Sequence, residues 1–221
     1  MRMLTIETST PAESVAVVEG DRVLAERRWT AGRGHAERLI GAVASVLQEA
    51  GTALDELDAI AVSIGPGRFT GLRVGLATAK GLAATSGVGV RPVRTLRALA
   101  LSSGVEAGLV CPVIDARRGE VYAALFRGGA PEAVMDEVAL EPSALADRVR
   151  DRSSGEPVTF VGTGVTAYAD ELGELLGSTA RLACDRPAAP TPRALAELAL
   201  ETQALSMREL VALEPVYLRG V

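Results

Sequence analysis

The stretch SIGPGRFTGLRVG, residues 63–75, joins two segments of different periodicity. Before it, the apolar run DAIAVSI (58–64) is typical of a buried strand, and after it residues 69–84 have the apolar spacing of a helix. A strand, a glycine-rich turn and a helix in this order are the layout of a phosphate-binding loop. The same layout also suits a turn that only sets the helix in place, so the individual residues of the turn must distinguish the two.

The residues of the turn lack both common phosphate-binding patterns. A Walker loop places Lys and then Ser or Thr directly after its last glycine, whereas the only lysine of the chain, Lys80, is followed by a glycine. The dinucleotide pattern G-x-G-x-x-G has Thr70 in place of its last glycine. Pro66 fixes φ at one turn position and Gly67 permits a positive φ at the next. These residues favour a structural turn that opens the helix.

Along the predicted helix, Gly71, Gly75 and Ala79 recur every four residues and form a ridge without large side chains. Such a ridge allows another element to approach closely. Two elements are open candidates at this point, the core of the same domain or the surface of a second protein. A neighbouring helix is predicted over residues 35–50, where apolar residues recur at helical spacing: Leu39, Ile40, Val43, Val46, Leu47 and Ala50.

The composition is that of a globular protein with an acidic balance. The 221 residues are 48% hydrophobic and 23% charged, and the net charge of −5 is opposite to that of proteins that grip nucleic acid by themselves. Two cysteines, Cys111 and Cys184, are too few for a disulfide framework. The start MRMLTIETST does not resemble a signal peptide, and no apolar run has the length of a membrane span. We therefore expect a cytoplasmic protein with both thiols reduced.

An order of predicted elements occurs twice along the chain. Each half is strand, strand, strand, helix, strand, glycine turn, helix, and the first strand of each half ends at an acidic residue, Glu7 or Asp115. This repeat predicts an α/β protein with the duplicated fold of actin and sugar kinases (the ASKHA fold), with lobes at 1–104 and 105–221. The predicted elements of the first half are 3–8, 13–19, 22–29, 35–50, 58–64 and 69–84. Those of the second half are 109–115, 119–127, 132–138, 143–150, 158–162 and a helix after the glycine turn within GTGVTAYADELGELL (162–176). The elements 87–93, 95–103 and 192–205 lie outside the repeat.

The reactive residues of the chain restrict its chemistry. His35 is the only histidine, which excludes a His-x-x-x-His pair and any zinc site with two imidazoles. No G-x-S-x-G segment presents a serine nucleophile, and Cys111, beside a proline in a strand-like run, is predicted to be a core residue. Glu7 and Asp115 allow two interpretations. They could orient a metal ion and water, or each could accept hydrogen bonds from the backbone of its own turn.

Four blocks of the sequence resemble the TsaB (YeaZ) family. They are LTIETST (4–10), SIGPGRFTGLRVGLATAKGLA (63–83), VIDARRGEVYAALF (113–126) and EPVYLR (214–219), and they occur in the order of the family over nearly the whole chain. The segment with the pattern GPG-x-FTGLR-x-G is the most specific of the four. Two residues depart from the family pattern, Arg68 where serine is usual and Glu7 where aspartate is usual.

The resemblance implies a role in making threonylcarbamoyladenosine beside the anticodon of tRNA. In that pathway the related catalytic subunit, TsaD, holds a metal ion through a His-x-x-x-His pair and transfers threonylcarbamoyl from its adenylate to the adenosine, and an ATPase, TsaE, joins the assembly. A member of the TsaB family is implied to be a non-catalytic partner of TsaD. ATP and metal would belong to the partner subunits, so no cofactor, metal or catalytic residue is expected on this chain. The resemblance also implies a homodimer when the chain is alone, and contact with tRNA only through the complex.

In the family, the helices of the N-terminal lobe contact the catalytic subunit and can also mediate self-association. The resemblance, together with the small-residue ridge, predicts an interface at Leu39, Val43, Phe69, Thr70, Gly71, Leu72, Gly75, Leu76 and Ala79. On that basis, Gly75→Arg is expected to abolish partner binding while leaving the fold largely intact.

Two further functions are alternatives. An active ATP-dependent phosphotransferase of the same fold class would need a phosphate-binding hairpin in each lobe. The second hairpin, IDARRGE (114–120), is rich in arginine and lacks the small residues of ETSTPAE (7–13). A metal-dependent peptidase would need more metal ligands than a chain with one histidine readily supplies.

Overall fold

The structure of the chain is a computed structural model that describes residues 1–32, 35–129 and 132–218. It divides into two units. The first comprises Met1–Thr95 and Thr191–Val216, and the second comprises Leu96–Pro190 with Tyr217 and Leu218. Arg219, the last residue of the block EPVYLR, lies outside the described residues.

The first unit contains a five-stranded mixed sheet with the order β3-β2-β1-β4-β5. β1 pairs with β2, and β2 with β3, in antiparallel fashion, whereas β4 runs parallel to both β1 and β5. In the central strand, Leu4 lies opposite Val17 on one side and Ile60 on the other. The elements are β1 (Arg2–Glu7), β2 (Ala12–Glu19), β3 (Arg22–Thr30), α1 (His35–Glu49), β4 (Ala59–Ser63), α2 (Phe69–Ser86) and β5 (Val90–Val93).

The second unit repeats this arrangement in a sheet with the order β10-β9-β6-β7-β8. The antiparallel pairs β6–β7 and β7–β8 and the parallel pairs β6–β9 and β9–β10 correspond one by one to those of the first sheet. The predicted duplication is therefore confirmed. The elements are α3 (Thr95–Ser102), β6 (Leu109–Arg117), β7 (Glu120–Arg127), β8 (Ala133–Leu140), α4 (Pro142–Ser153), β9 (Val158–Val161), α5 (Thr163–Ala167), α6 (Ala169–Leu176) and β10 (Ala180–Leu182), followed by α7 (Pro192–Glu201) and α8 (Met207–Ala212).

Apolar side chains explain why the first sheet carries helices. β1 and β4 consist almost entirely of buried residues, which is the pattern of strands covered on both faces. α1 presents Leu39, Val43 and Val46 to the core, and α2 presents Leu72 and Leu76. α2 ends at Gly87, whose φ of 77° lies in the left-handed region and whose amide donates to the carbonyl of Ala83.

The predicted lobe boundary between residues 104 and 105 is wrong. Helix α3 belongs to the second unit except for its first residue, and helices α7 and α8 return to the first unit. The reason is apolar burial, because Leu195, Leu198 and Ala199 of α7 are buried where that helix packs on β1, β2, β4 and β5. The predicted helix 192–205 ends at Glu201, and the helix predicted within 162–176 is interrupted at Tyr168.

Among the residues that the structure describes, no helix combines the length and the apolar character of a membrane span.

Candidate functional site

The glycine turn after β4 differs in detail from the predicted turn. Gly65 has the positive φ, 112°, and the peptide bond between Gly65 and Pro66 is cis. Gly67 is not in the left-handed region, so its predicted role is wrong. It is required for another reason. A Cβ on Gly67 would overlap the carbonyl of Ser9, which accepts a hydrogen bond from the Arg68 amide at 2.8 Å.

The small-residue ridge of α2 packs inside its own unit, against the turn after β1. A Cβ on Gly71 would overlap the carbonyl oxygen of Thr8, and a Cβ on Gly75 would overlap the Thr8 hydroxyl. That hydroxyl donates to the carbonyl of Gly71 at 2.8 Å. The glycines therefore permit close contact between α2 and the turn at residues 8–11, the first of the two possibilities left open by the sequence.

Most of the predicted interface residues are buried within the first unit, so as surface residues they are wrong. The buried residues are Leu39, Val43, Gly71, Leu72, Gly75, Leu76 and Ala79. Phe69 and Thr70 are exposed. The expectation that Gly75→Arg would spare the fold is wrong for the same reason, because a side chain at position 75 meets Thr8.

The outward face of α1 and α2 carries an apolar groove of about 570 Å³. Ile40, which lines the groove, is 51% exposed, and Phe69, beside it, is 44% exposed, although both are large apolar residues. The guanidinium carbon of Arg73 lies 3.8 Å from the centre of the Phe69 ring, a cation–π contact. We call this surface the α1–α2 groove; it is lined by Ala36, Ile40, Arg73, Val74, Ala77, Thr78, Gly81, Leu82 and Thr85.

The predicted interface contains none of the residues that line the groove, because it follows the inner stripe of each helix. Ile40 shares the apolar spacing of α1 with core residues such as Leu39, but it follows Leu39 by about 100° around the helix and so faces outward. On α2 the glycine ridge marked the inner stripe. The signal that could have identified the outer stripe is the pair Phe69 and Arg73, an aromatic and a cation four residues apart on one helix face.

Glu7 is a fully buried carboxylate at the end of β1. It accepts hydrogen bonds from the Ser9 amide at 2.7 Å, from the Ser9 hydroxyl and from the Ser63 hydroxyl at 2.5 Å. Burial raises the pKa of Glu7 from 4.5 to about 7, although the hydroxyls of Ser63 and Ser9 and the amides of Ser9 and Thr10 lower it. Glu7 thus changes charge near neutral pH inside the first unit.

Asp115 occupies a comparable place in the second unit, but two residues before the end of β6. Its carboxylate accepts from the Arg117 amide at 2.8 Å and lies 3.4 Å from the Tyr168 hydroxyl. Glu7 and Asp115 therefore each accept a hydrogen bond from the amide two residues further on. This arrangement favours the second interpretation of the two acids, in which each orders the turn that follows it.

Other candidate reactive groups are not assembled into a site. In the described ranges, no group of three or more His, Cys, Asp and Glu side chains is placed to hold a metal ion. The backbone of His35 begins α1, but its side chain is not among the parts described. Cys111 is fully buried in β6, as predicted, and burial raises the pKa of its thiol, whereas Cys184 is exposed.

Curated relatives match the chain from end to end. The "tRNA threonylcarbamoyladenosine biosynthesis protein TsaB" of Escherichia coli is 35% identical over 100% of this chain and 95% of its own length. The protein of the same name in Bacillus subtilis is 31% identical over 99% of this chain and 94% of its own length. The chain belongs to the TsaB (YeaZ) family. The family model described as TsaD, tRNA N6-adenosine threonylcarbamoyltransferase, matches residues 29–219, which relates the chain to that enzyme family.

Solved structures identify the fold class of the chain. YeaZ from Pseudomonas aeruginosa superposes with a TM-score of 0.79 at 30% identity over 98% of this chain and 99% of its own. The ethanolamine utilization protein EutJ from Carboxydothermus hydrogenoformans shares the fold alone, with a TM-score of 0.54 at 16% identity over 89% of each chain. The fold is the actin-like, sugar-kinase-like fold that the internal repeat predicts.

One of the two departures from the TsaB pattern, Arg68, contacts a buried acid. Glu13 is 1% exposed, accepts from the Trp29 indole at 2.7 Å and lies 3.8 Å from the Arg68 guanidinium. Arg68 immediately precedes α2, so its side chain bridges the start of that helix to β2. The other departure, Glu7, retains the carboxylate at the end of β1 with one more methylene group.

Proposed function

We propose that this chain is a non-catalytic partner subunit of the machinery that synthesises threonylcarbamoyladenosine in tRNA. It binds and supports a catalytic paralogue of the TsaD type, which transfers threonylcarbamoyl from threonylcarbamoyl-adenylate to the adenosine next to the anticodon. The α1–α2 groove is the contact surface. The observation that carries this proposal is the exposure of Ile40 in the groove and of Phe69 beside it, on a chain whose relatives are named for this pathway.

The relationship to TsaD supports a paralogue as the occupant of the groove. Because a TsaD family model matches residues 29–219, which include α1 and α2, the partner has a related helix pair. Two related helix pairs pack around a pseudo-twofold axis in the way that two identical ones pack around a true twofold axis. The groove can therefore take either the paralogue or a second copy of this chain, and the homodimer competes with the heterodimer.

The turn after β1 supports a role without catalysis. Thr8, Ser9 and Thr10, which follow β1 where an actin-like kinase holds nucleotide phosphates, are each at most 1% exposed. The carbonyls of Thr8 and Ser9 lie against the glycines of α2. In our proposal ATP and metal accordingly belong to the catalytic subunit and to the ATPase TsaE, and this chain binds neither. It acts in the cytoplasm and meets tRNA only through the complex.

The proposed function is tested by reconstitution. Threonylcarbamoyl transfer to tRNA is measured from threonine, bicarbonate and ATP, with the adenylate synthase and TsaE present throughout. TsaD and this chain are added separately and then together, and we expect transfer only with both. Transfer with this chain in the absence of TsaD would contradict a non-catalytic role, and transfer with TsaD alone at the full rate would contradict a required partner.

The contact surface is tested by a charge placed in the groove. We expect Ile40→Glu to weaken binding to TsaD at least 100-fold, because burying an unpaired carboxylate at an apolar interface costs roughly 3 kcal/mol or more. The same variant should be monomeric. Val23→Glu is the matched control, since Val23 is a 42% exposed apolar residue of β3 outside the groove. Binding is measured by isothermal titration calorimetry; equal affinities for both variants would exclude this surface.

A further inference from the structure

We propose that Glu7 is a proton-linked positioning residue that holds the turn at residues 8–11 beneath the first turns of α2 more firmly at pH 5 than at pH 7. Through α2 it makes the shape of the α1–α2 groove depend on pH. The pH dependence of the groove rests on the proposed function of the groove. The effect of Glu7 on the turn at residues 8–11 concerns the free chain alone.

Within the part of the chain that the structure describes, the surroundings of Glu7 provide hydrogen bonds without a compensating charge. Its carboxylate is fully buried and accepts from Ser9 and Ser63, which are neutral. Among the described residues, no charged side chain contributes to its shifted titration. An ionised carboxylate in such a place carries a desolvation cost that the neutral acid does not.

The turn ordered by Glu7 is also the support of α2. The Ser9 amide donates to Glu7, and the Ser9 carbonyl accepts from the Arg68 amide at 2.8 Å, one residue before α2 begins. The Thr8 hydroxyl donates to Gly71 in the first turn of the helix. Phe69 and Arg73, which flank the groove, lie on the same two turns of α2. Opening of this turn therefore removes the support under one end of the groove.

The charged groups of the packed elements are engaged elsewhere or exposed. On β2, Glu13 pairs with Arg68 and the Trp29 indole. On α2, Arg73 stacks on Phe69, and Lys80 donates to the carbonyls of Val211 and Leu213. On α7, which packs on β1, the charged residues are all exposed: Arg193, Glu197 and Glu201. Glu13 is the other buried acid near the turn, so Glu13→Gln is included as a control.

The direction of the effect follows from linkage. In the open turn Glu7 is hydrated and titrates near 4.5, whereas in the closed turn its pKa is about 7. The closed turn therefore binds the proton on Glu7 more tightly than the open turn does. The stability that this proton gives the closed turn is fully present below pH 4.5 and is lost as the pH rises through 7. The opening constant should rise roughly 40-fold between pH 5 and pH 7 and level off above that.

Hydrogen exchange of the free chain tests this directly. The opening constants of the Ser9 and Arg68 amides are measured from pH 5 to pH 8 and corrected for the intrinsic rate of hydrogen exchange. The Ile60 amide, in the centre of the sheet, is the reference for global unfolding. We expect the rise of roughly 40-fold in the wild type and Glu13→Gln, and a change of less than twofold in Glu7→Gln. A flat wild-type profile, or an identical rise in Glu7→Gln, would overturn the proposal. So would equal opening constants for all three amides, because the opening would then be global.

A second variant keeps the test decisive if Glu7→Gln does not fold. Ser63→Ala removes a hydroxyl that lowers the pKa of Glu7, so its profile should continue to rise above pH 7, where the wild type levels off. Superposable profiles would show that another group titrates and would overturn the proposal.

Calorimetry with TsaD then tests the coupling to the groove, where wild-type affinity should fall over the same pH interval. Absence of binding at every pH would contradict the proposed function and leave the exchange result standing.

Discussion

Two glycines of α2, ten residues apart, have opposite structural roles. Gly71 lies against the backbone of Thr8, whereas a Cβ on Gly81 would meet open space. We expect Gly71→Ala to destabilise the fold by roughly 3 kcal/mol, because the clash is with backbone that cannot rotate away. Gly81→Ala should stabilise it by up to about 1 kcal/mol, the difference in helix propensity. Urea unfolding of both variants is the measurement.

The result distinguishes a buried ridge from a free one. If Gly71→Ala were as stable as the wild type, the ridge could not be packed on the turn after β1, and the surface predicted from the sequence would return as a candidate. The spacing of the glycines indicated a close contact correctly. It could not indicate the contacting element, because Thr8 lies 63 residues away along the chain and no local pattern joins the two.

At the scale of elements, Lys80 of α2 forms hydrogen bonds to the short helix α8, whose Leu210 also belongs to the core of the first unit. The ammonium of Lys80 donates to the carbonyls of Val211 and Leu213, at 2.9 Å and 2.7 Å, at the end of that helix. Lys80→Met keeps the apolar stem but removes both hydrogen bonds, so α8 should lose roughly 1 kcal/mol of local stability. We expect about fivefold faster exchange of the Leu210 and Leu213 amides.

The control for this prediction is Arg208→Met, which removes an exposed basic residue of α8 itself. It should leave the exchange of those amides unchanged. Equal acceleration in the two variants would mean that α8 responds to net charge rather than to the hydrogen bonds of Lys80.

Strands and helices with a strong period were predictable from the sequence, and irregular ones were not. β1, β2, β4, α1 and α2 begin and end within two residues of their predicted limits, because their apolar periods and bounding glycines are local signals. The break between α5 and α6 at Tyr168 has no such signal. The outward orientation of Ile40 was also missed, since a helix with two adjacent apolar stripes does not reveal which one faces the core.

At the scale of the whole molecule, the first unit depends on residues from both ends of the described chain. A fragment cut at the predicted boundary, 1–104, lacks α7 and exposes the sheet that Leu195 and Leu198 cover. Each buried leucine contributes about 2 kcal/mol, which is a large part of the stability of a small domain. We expect this fragment to lack cooperative unfolding in urea, monitored by circular dichroism.

A chimera that joins residues 1–95 to 191–216 through a flexible linker should restore the transition. If the 1–104 fragment unfolded at the same urea concentration as the chimera, α7 and α8 would not be part of the first unit. The repeat in the sequence predicted the duplicated fold correctly. It could not predict that the last helices belong to the first unit, because the repeat contains no trace of them.

The discontinuity of the first unit has a consequence for synthesis on the ribosome. Residues Met1–Thr95 emerge first, but the helices that complete their core follow roughly 120 residues later, about 6 to 24 seconds at ordinary rates of elongation. The segment Leu96–Pro190 is contiguous and emerges whole during that interval. The main segment of the second unit is therefore complete before the first unit is. The apolar face that awaits α7 is the one that a ribosome-bound chaperone would have to shield.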